Sequence, residues 1–301
     1  MAAAGCGMLE GLDRGWRLFG TALSFVAFGV GGLLLRLLVF PPLRLLSRDR
    51  ETLERRARAL IRASFAGHVR IMHRLGVMTY EINGVERLHR RGLLVLANHP
   101  TLVDVVLLVS RLPDADCVVK SRLANNPFTH GPVRATGYIC NDNGAGLVDD
   151  CIASVRSGRN LLIFPEGTRT PVGELLGPLQ RGALNIAVRG RLDVTPVVIR
   201  CEPRTLGKGE KWYRVPARRF HLSVNVLPDL PVAPFLEDGS TEPLAARRLT
   251  AALGDIFRGE LLRAGAGQQH ARAGHQGTDR HHDVARGRGR RRHRHRSAAL
   301  Q

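Results

Sequence analysis

The chain has 301 residues, 44% of them hydrophobic, enough to bury one substantial core with terminal extensions left over. A formal net charge of +19 calls for an anionic partner: nucleic acid, anionic lipid headgroups or an acidic carrier protein. Five scattered cysteines with no CxxC pair weigh against a disulfide framework or a zinc site and fit a reducing compartment.

No charge interrupts the run from Leu18 to Leu35, and after Arg36 the apolar character resumes through Phe40. That is near the minimum length of a spanning helix. The run is too long for a signal peptide and has no Ala-x-Ala cleavage site. Residues 1–47 are therefore expected to form a membrane anchor, either spanning or lying in the plane and bent at Pro41-Pro42. Arg36, Arg44, Arg48, Arg50, Arg55, Arg56 and Arg58 crowd its C-terminal flank. By the positive-inside rule they keep the following domain on the cytoplasmic side of the cytoplasmic membrane. Residues 51–75 then place apolar side chains at three- and four-residue steps among arginines. This is a basic amphipathic helix, suited equally to a domain face or to anionic lipid.

The body from 48 to 263 alternates. Strands are expected near 77–82, 93–97, 117–120, 161–164, 194–200 and 220–226, with helices near 103–110, 147–156, 180–189 and 242–262. The pattern predicts an α/β layered domain whose mixed, partly parallel sheet is flanked by helices. Cys117 and Cys201 fall in or beside apolar strands and read as small core residues. From 264 to 301 the composition turns to Gly, Gln, His and Arg, with nine Arg and two Asp. Such a tail cannot repay its ordering entropy and is expected to be disordered. Its arginine run has no aromatic platform, which argues against nucleic acid as the partner, and its histidines do not amount to a metal site.

Two turns carry the chemistry. The first, Asn98-His99-Pro100-Thr101-Leu102-Val103-Asp104, follows the apolar strand 93–97. Pro100 keeps His99 extended, and Thr101 with Asp104 three positions on resembles a capping box. A histidine can take a hydroxyl proton near neutral pH, and a carboxylate can hold its tautomer. Asp104 also fits simply as the acidic residue of a helix's first turn, and a carboxylate fixed there can serve both ends. The second turn, Pro165-Glu166-Gly167-Thr168-Arg169-Thr170, follows the strand ending at Phe164. Gly167 permits close backbone approach, Thr168 and Thr170 offer hydroxyls, and Arg169 offers a forked cation, a set suited to a phosphate. A plain polar loop is the alternative, and Glu166 has no evident place beside a phosphate. There is no Gly-x-Ser-x-Gly elbow, so direct transfer is preferred to a serine acyl-enzyme.

Taken together the two turns resemble the glycerolipid acyltransferase family, the 1-acylglycerol-3-phosphate acyltransferases and their relatives, over roughly residues 85–232. The resemblance implies transfer of a fatty acyl group to a lysophospholipid at a membrane. The donor would be acyl-CoA or acyl-carrier protein, a co-substrate with no further cofactor and no metal. His99 would be the base and Asp104 its orienter, with Glu166, Gly167, Thr168 and Arg169 at the acceptor's glycerol phosphate. Lys120 and Arg122, ahead of Asn126-Pro127-Phe128, match a stretch between the two motifs and could add cations. Family members that use phosphorylated glycerol usually carry an Arg where this chain has Asn143. That keeps open a non-glycerophosphate acceptor, such as an amino-acid lipid or a pathway-specific product.

Overall fold

The computed structural model describes residues 2–120, 130–141, 144–237, 239–263 and 265. It contains two compact units, Met1–Phe257 and Arg258–Gln301. The second is helical over 258–263. The expected disordered tail lies otherwise outside the described residues, as do Arg122 and Asn143.

The first unit is built on a seven-stranded sheet. In chain order the strands are β1 (Met78–Asn83), β2 (Leu94–Ala97), β3 (Ala115–Val119), β4 (Ile139–Cys140), β5 (Asn160–Ile163), β6 (Val194–Glu202) and β7 (Phe220–Val226). Their spatial order is β1-β7-β6-β2-β5-β3-β4. From β6 to β4 the neighbours are parallel, whereas β6 and β7 are antiparallel and β1 runs parallel to β7. Burial follows this layout. Every residue of the central β2 is buried, while β7 alternates strictly between buried and half-buried. Helices pack both faces of the central strands, which therefore read as continuous apolar runs, while a strand with one wet face alternates.

The six strands and the helices expected in this unit all form. The two-residue β4 and the helix before it were not legible. That helix, α5 (His130–Thr136), contains Gly131 and Pro132 and has no helical signature of its own.

The N-terminal segment is helical from Ala2 through Leu45. It comprises α1 (Ala2–Leu34), a π-helical turn (Leu35–Val39) and α2 (Phe40–Leu45). The π turn, where Phe40 N–H reaches back to Leu35 O, falls just before Pro41-Pro42. Proline removes a helical donor and crowds the preceding turn, and wider local winding is a common response to such strain. Gly11–Leu45 is long and apolar enough to cross a membrane. One side of α1 docks along the domain. Trp16 Nε1 donates to Leu75 O at 2.9 Å, and the Phe28 ring meets that of Phe65 at a tilt and that of His68 edge-on.

The amphipathic helix is α3 (Arg50–Arg74), capped by Asp49, whose side chain accepts from Thr52 N–H. Not all its arginines are solvated. Arg58 is buried, pairs with Asp114 at 2.6 Å and donates to Thr136 O at 2.8 Å. A buried guanidinium needs such partners, and they tie α3 to the 114 and 136 turns. Cys117 and Cys201 are free and buried.

Candidate active site

Three parallel strands create the site. Leu94, Val95 and Leu96 of β2 stand opposite Leu161, Leu162 and Ile163 of β5, and Ala97 stands opposite Val197 of β6. The chain therefore leaves β2 and β5 side by side at the same edge, and two turns almost seventy residues apart become neighbours. Parallel sheets bind ligands beyond the carboxyl ends of their strands for this reason.

Asn98 closes the first turn against the sheet. Its Nδ2 donates to Ile199 O at 2.8 Å, and its Oδ1 accepts from Ile199 N–H at 2.6 Å, so it stands in for a strand peptide. His99 follows. Its Nδ1 lies 3.1 Å from Asp104 Oδ2, and its ring stacks on Phe164 with centroids 4.2 Å apart. Asp104 opens helix α4 (Asp104–Arg111) and is 0% exposed, whereas the His99 side chain is 15% exposed. The same Oδ2 accepts from Thr101 N–H at 2.8 Å. Only half of the expected capping box forms, since the Thr101 hydroxyl is buried without a partner, as is Asp104 Oδ1. Burial pushes the Asp104 carboxyl up to about 6, against the opposing pull of His99 and Thr101 N–H. Above that value the carboxylate can only accept. Nδ1 then carries the ring proton and Nε2 the lone pair.

The second turn is bolted onto the first. Glu166 is only 4% exposed. Its Oε1 accepts from His99 N–H at 2.8 Å and from the Thr170 hydroxyl at 3.0 Å, and its Oε2 accepts from Gly177 N–H at 2.8 Å. Thr170 N–H in turn donates to His99 O at 2.7 Å. Glu166 was grouped with the acceptor-binding residues; its carboxylate is committed to the protein instead, which removes the mismatch of an acid beside a phosphate. Glycine at 177 leaves room for this contact, because a Cβ there would come within 2.5 Å of Glu166 Oε2 and displace the carboxylate. Gly167, exposed with φ +65°, makes the tight turn. Thr168 is half-buried beside it. Arg169 Nη1 donates to Leu206 O at 2.7 Å and Gly207 O at 2.8 Å. The guanidinium is thus anchored by one nitrogen and keeps Nε and Nη2 for other work. Lys120 is exposed just past β3, and Arg134 is exposed on α5.

Sequence reading missed Asn98, Phe164 and the Leu206–Gly207 carbonyls as parts of the site. A polar Asn ending a fully buried strand was the one available signal.

An apolar cavity of about 460 Å³ opens between α1, α3, α4, β3 and α5. Val105, the residue after Asp104, and Val109 line it, with Phe28, Leu35, Phe65 and Tyr138. His68 also lines it, and burial holds its imidazole below the ordinary value, so it is neutral there at pH 7. Beside the π turn, a second depression of about 980 Å³ gathers Arg36, Arg44, Arg48, Arg50, His130 and Arg134. The two acids at its edge are already engaged, Asp49 with Thr52 and Glu54 with Arg50.

Comparison with known proteins agrees with this geometry. The family described as "Acyltransferase" matches residues 79–200. A 1-acyl-sn-glycerol-3-phosphate acyltransferase from Helicobacter pylori is 33% identical over 112 residues, covering 35% of this chain and 47% of that protein. One from Pseudomonas aeruginosa is 29% identical over 127 residues, 39% of this chain and 48% of that protein. The chain thus spans about half the length of these relatives. The crystal structure of a 1-acyl-sn-glycerophosphate acyltransferase from Thermotoga maritima superimposes with a TM-score of 0.61 at 19% identity, over 83% of this chain and 98% of that one; it shares the fold. The two turns thus fall within the stretch that the acyltransferase family matches, and the sheet and helices around them share the fold of that crystal structure.

Proposed function

We propose that this protein is a membrane-associated O-acyltransferase that moves a fatty acyl group from a thioester donor to the free hydroxyl of a lysophospholipid. The observation that carries the reading is the His99–Asp104 pair, a mostly buried but still accessible imidazole oriented by a fully buried carboxylate at the carboxyl ends of parallel strands. His99 Nε2 takes the acceptor hydroxyl proton as the oxygen attacks the thioester carbonyl. The C–S bond then breaks, and the thiolate leaves with the proton that His99 returns. Asp104 keeps Nδ1 protonated throughout and stabilises the imidazolium between the two steps.

The remaining features each have a place in this scheme. The apolar cavity beside Val105 takes the acyl chain. The remaining donors of Arg169, with Lys120 and the Gly167–Thr168 turn, face the acceptor phosphate, and 1-acyl-sn-glycerol-3-phosphate fits that set. The arginine-lined depression favours an anionic donor, which acyl-CoA and acyl-carrier protein both satisfy. The apolar surface of α1–α2 enters the membrane, and the arginines after it hold the domain at the cytoplasmic face of the cytoplasmic membrane.

The test is direct. Purified full-length protein is given labelled acyl-CoA or acyl-carrier protein with a panel of lysolipids and non-phosphorylated alcohols. Acylation of lysophosphatidate, abolished by His99→Ala, is the expected result. A folded protein that acylates no alcohol in the panel sinks the reading, and efficient use of a non-phosphorylated alcohol alone replaces the acceptor.

A further inference from the structure

Outside the N-terminal segment 2–46, the first unit exposes seven large hydrophobic side chains among its described residues, and five of them stand on the three loops that rim His99. Leu102 follows β2. Val172 and Leu175 follow β5. Trp212 and Tyr213, 45% and 48% exposed, lie between β6 and β7. The loops are stitched together: Leu102 N–H donates to Leu206 O at 3.2 Å, and Arg204 Nη1 donates to Pro171 O at 3.2 Å. We propose that this rim is a second membrane-contacting surface, seated in the headgroup layer of an anionic bilayer, through which an embedded acceptor reaches His99. The proposal rests on the acyltransferase reading for its purpose.

Three further observations specify a lipid surface as the occupant. The 203–219 loop carries six basic residues and one acid, and Lys208, Lys211, Arg214, Arg218 and Arg219 are all exposed. Tryptophan and tyrosine interleaved with lysine and arginine suit the layer where one end of a side chain is apolar and the other wet. The loop is also continuous with the apolar helix. The Trp212 ring lies 6.0 Å from that of Phe25, and the buried Arg17 donates to Ala217 O at 2.8 Å.

That continuity fixes the depth of α1. Phe25 lies near the middle of Gly11–Leu45. A helix standing upright across the bilayer would carry Phe25 to the centre of the hydrocarbon, and Trp212 with its arginines would follow. Charged side chains are costly there. With the rim at headgroup level, α1 enters one leaflet at a shallow angle instead.

The chain has two tryptophans, Trp16 and Trp212, so the full-length Trp16→Phe protein reports on the rim alone. It is mixed with vesicles of phosphatidylcholine and phosphatidylglycerol that contain lipids brominated at shallow or deep acyl positions. The expected result is a blue shift of Trp212 emission and strongest quenching by the shallow bromines. Emission that stays water-like, with aqueous iodide quenching unchanged by vesicles, overturns the proposal. So does shielding that depends on protein concentration and not on lipid, which would give the face to a second copy.

Activity supplies an independent arm. Lys211→Glu with Arg214→Glu should raise the apparent KM for bilayer-embedded acceptor by about fivefold for each basic residue removed. Turnover of a short-chain lysolipid dispersed as monomers should be unchanged, and an equal loss on both acceptors contradicts a lipid role for the rim. If no acceptor is acylated at all, the catalytic reading fails while the fluorescence still decides the rim.

Discussion

Glu166 holds His99 by its backbone. The carboxylate accepts the His99 N–H at 2.8 Å while Thr170 N–H donates to His99 O at 2.7 Å, so the backbone of His99 is gripped on both sides of its Cα by the second turn. Glu166→Gln should therefore behave as a positioning defect. The amide keeps one acceptor oxygen for His99 and Thr170 but turns a donor toward Gly177 N–H. Misplacement of a catalytic group on the scale of 1 Å costs about a hundredfold, so kcat should fall by roughly that factor with little change in the acceptor's KM. A rise confined to acceptor KM would return Glu166 to the binding site.

Asp104 gives the pH profile its acid limb. Its carboxyl is raised to about 6 by burial, and only the ionised form orients His99, so kcat/KM should fall as pH drops through about 6. Stability runs the other way. Between the ordinary aspartate value and about 6 the folded state holds a proton that the unfolded state has lost, so this group's contribution declines as pH rises through that window. Asp104→Asn should then lose about 10²–10⁴-fold in activity while melting higher than the native protein at pH 8, with the gap narrowing at pH 4. Melting curves at the two pH values, beside initial rates, check both halves; a variant equally destabilised at both would contradict the linkage.

Asn98 should matter through the fold. Both polar atoms of its buried side chain bond Ile199, so Asn98→Ala leaves a buried N–H and a buried C=O unpaired, at about 1–3 kcal/mol each. Chemical denaturation should show a loss of about 2–6 kcal/mol for the two groups together. Stability within error of the native protein would mean that the turn repacks without it.

The legible part of this molecule is the part encoded by local period and turn chemistry. The fully buried β2 and the alternating β7 announced themselves, and so did the two turns, because Pro100 and Gly167 punctuate apolar strands. What could not be read was anything set by strand order. Only the adjacency of β2, β5 and β6 brings Glu166 under His99 and Asn98 onto Ile199, so an acid that seemed misplaced beside a phosphate became a brace. The buried Arg58 is a similar case. In sequence it is one of many arginines on α3, and only Asp114, 56 residues later, shows why it leaves the solvent. The loop holding Trp212 has no periodic signal, and its place beside Phe25 depends on the whole domain.

Arg169 joins the acceptor site to the rim, so its removal should do two things. One nitrogen is committed to the Leu206 and Gly207 carbonyls, which leaves Nε and Nη2 for the acceptor phosphate of the proposed reaction. A charge-assisted contact is worth about 1.5–3 kcal/mol, so Arg169→Ala should raise the KM for a phosphorylated acceptor roughly ten- to a hundredfold. The donor's KM should change much less. Arg169→Lys can reach either the carbonyls or the phosphate with its single ammonium, but not both in the forked geometry, and should recover only part of the loss. The two roles separate on a non-phosphorylated alcohol: loss of the phosphate contact leaves that substrate untouched, whereas loosening of the 206–207 tether slows it as well. Equal effects of Arg169→Ala on phosphorylated and non-phosphorylated acceptors would reduce Arg169 to a tether and move the phosphate elsewhere.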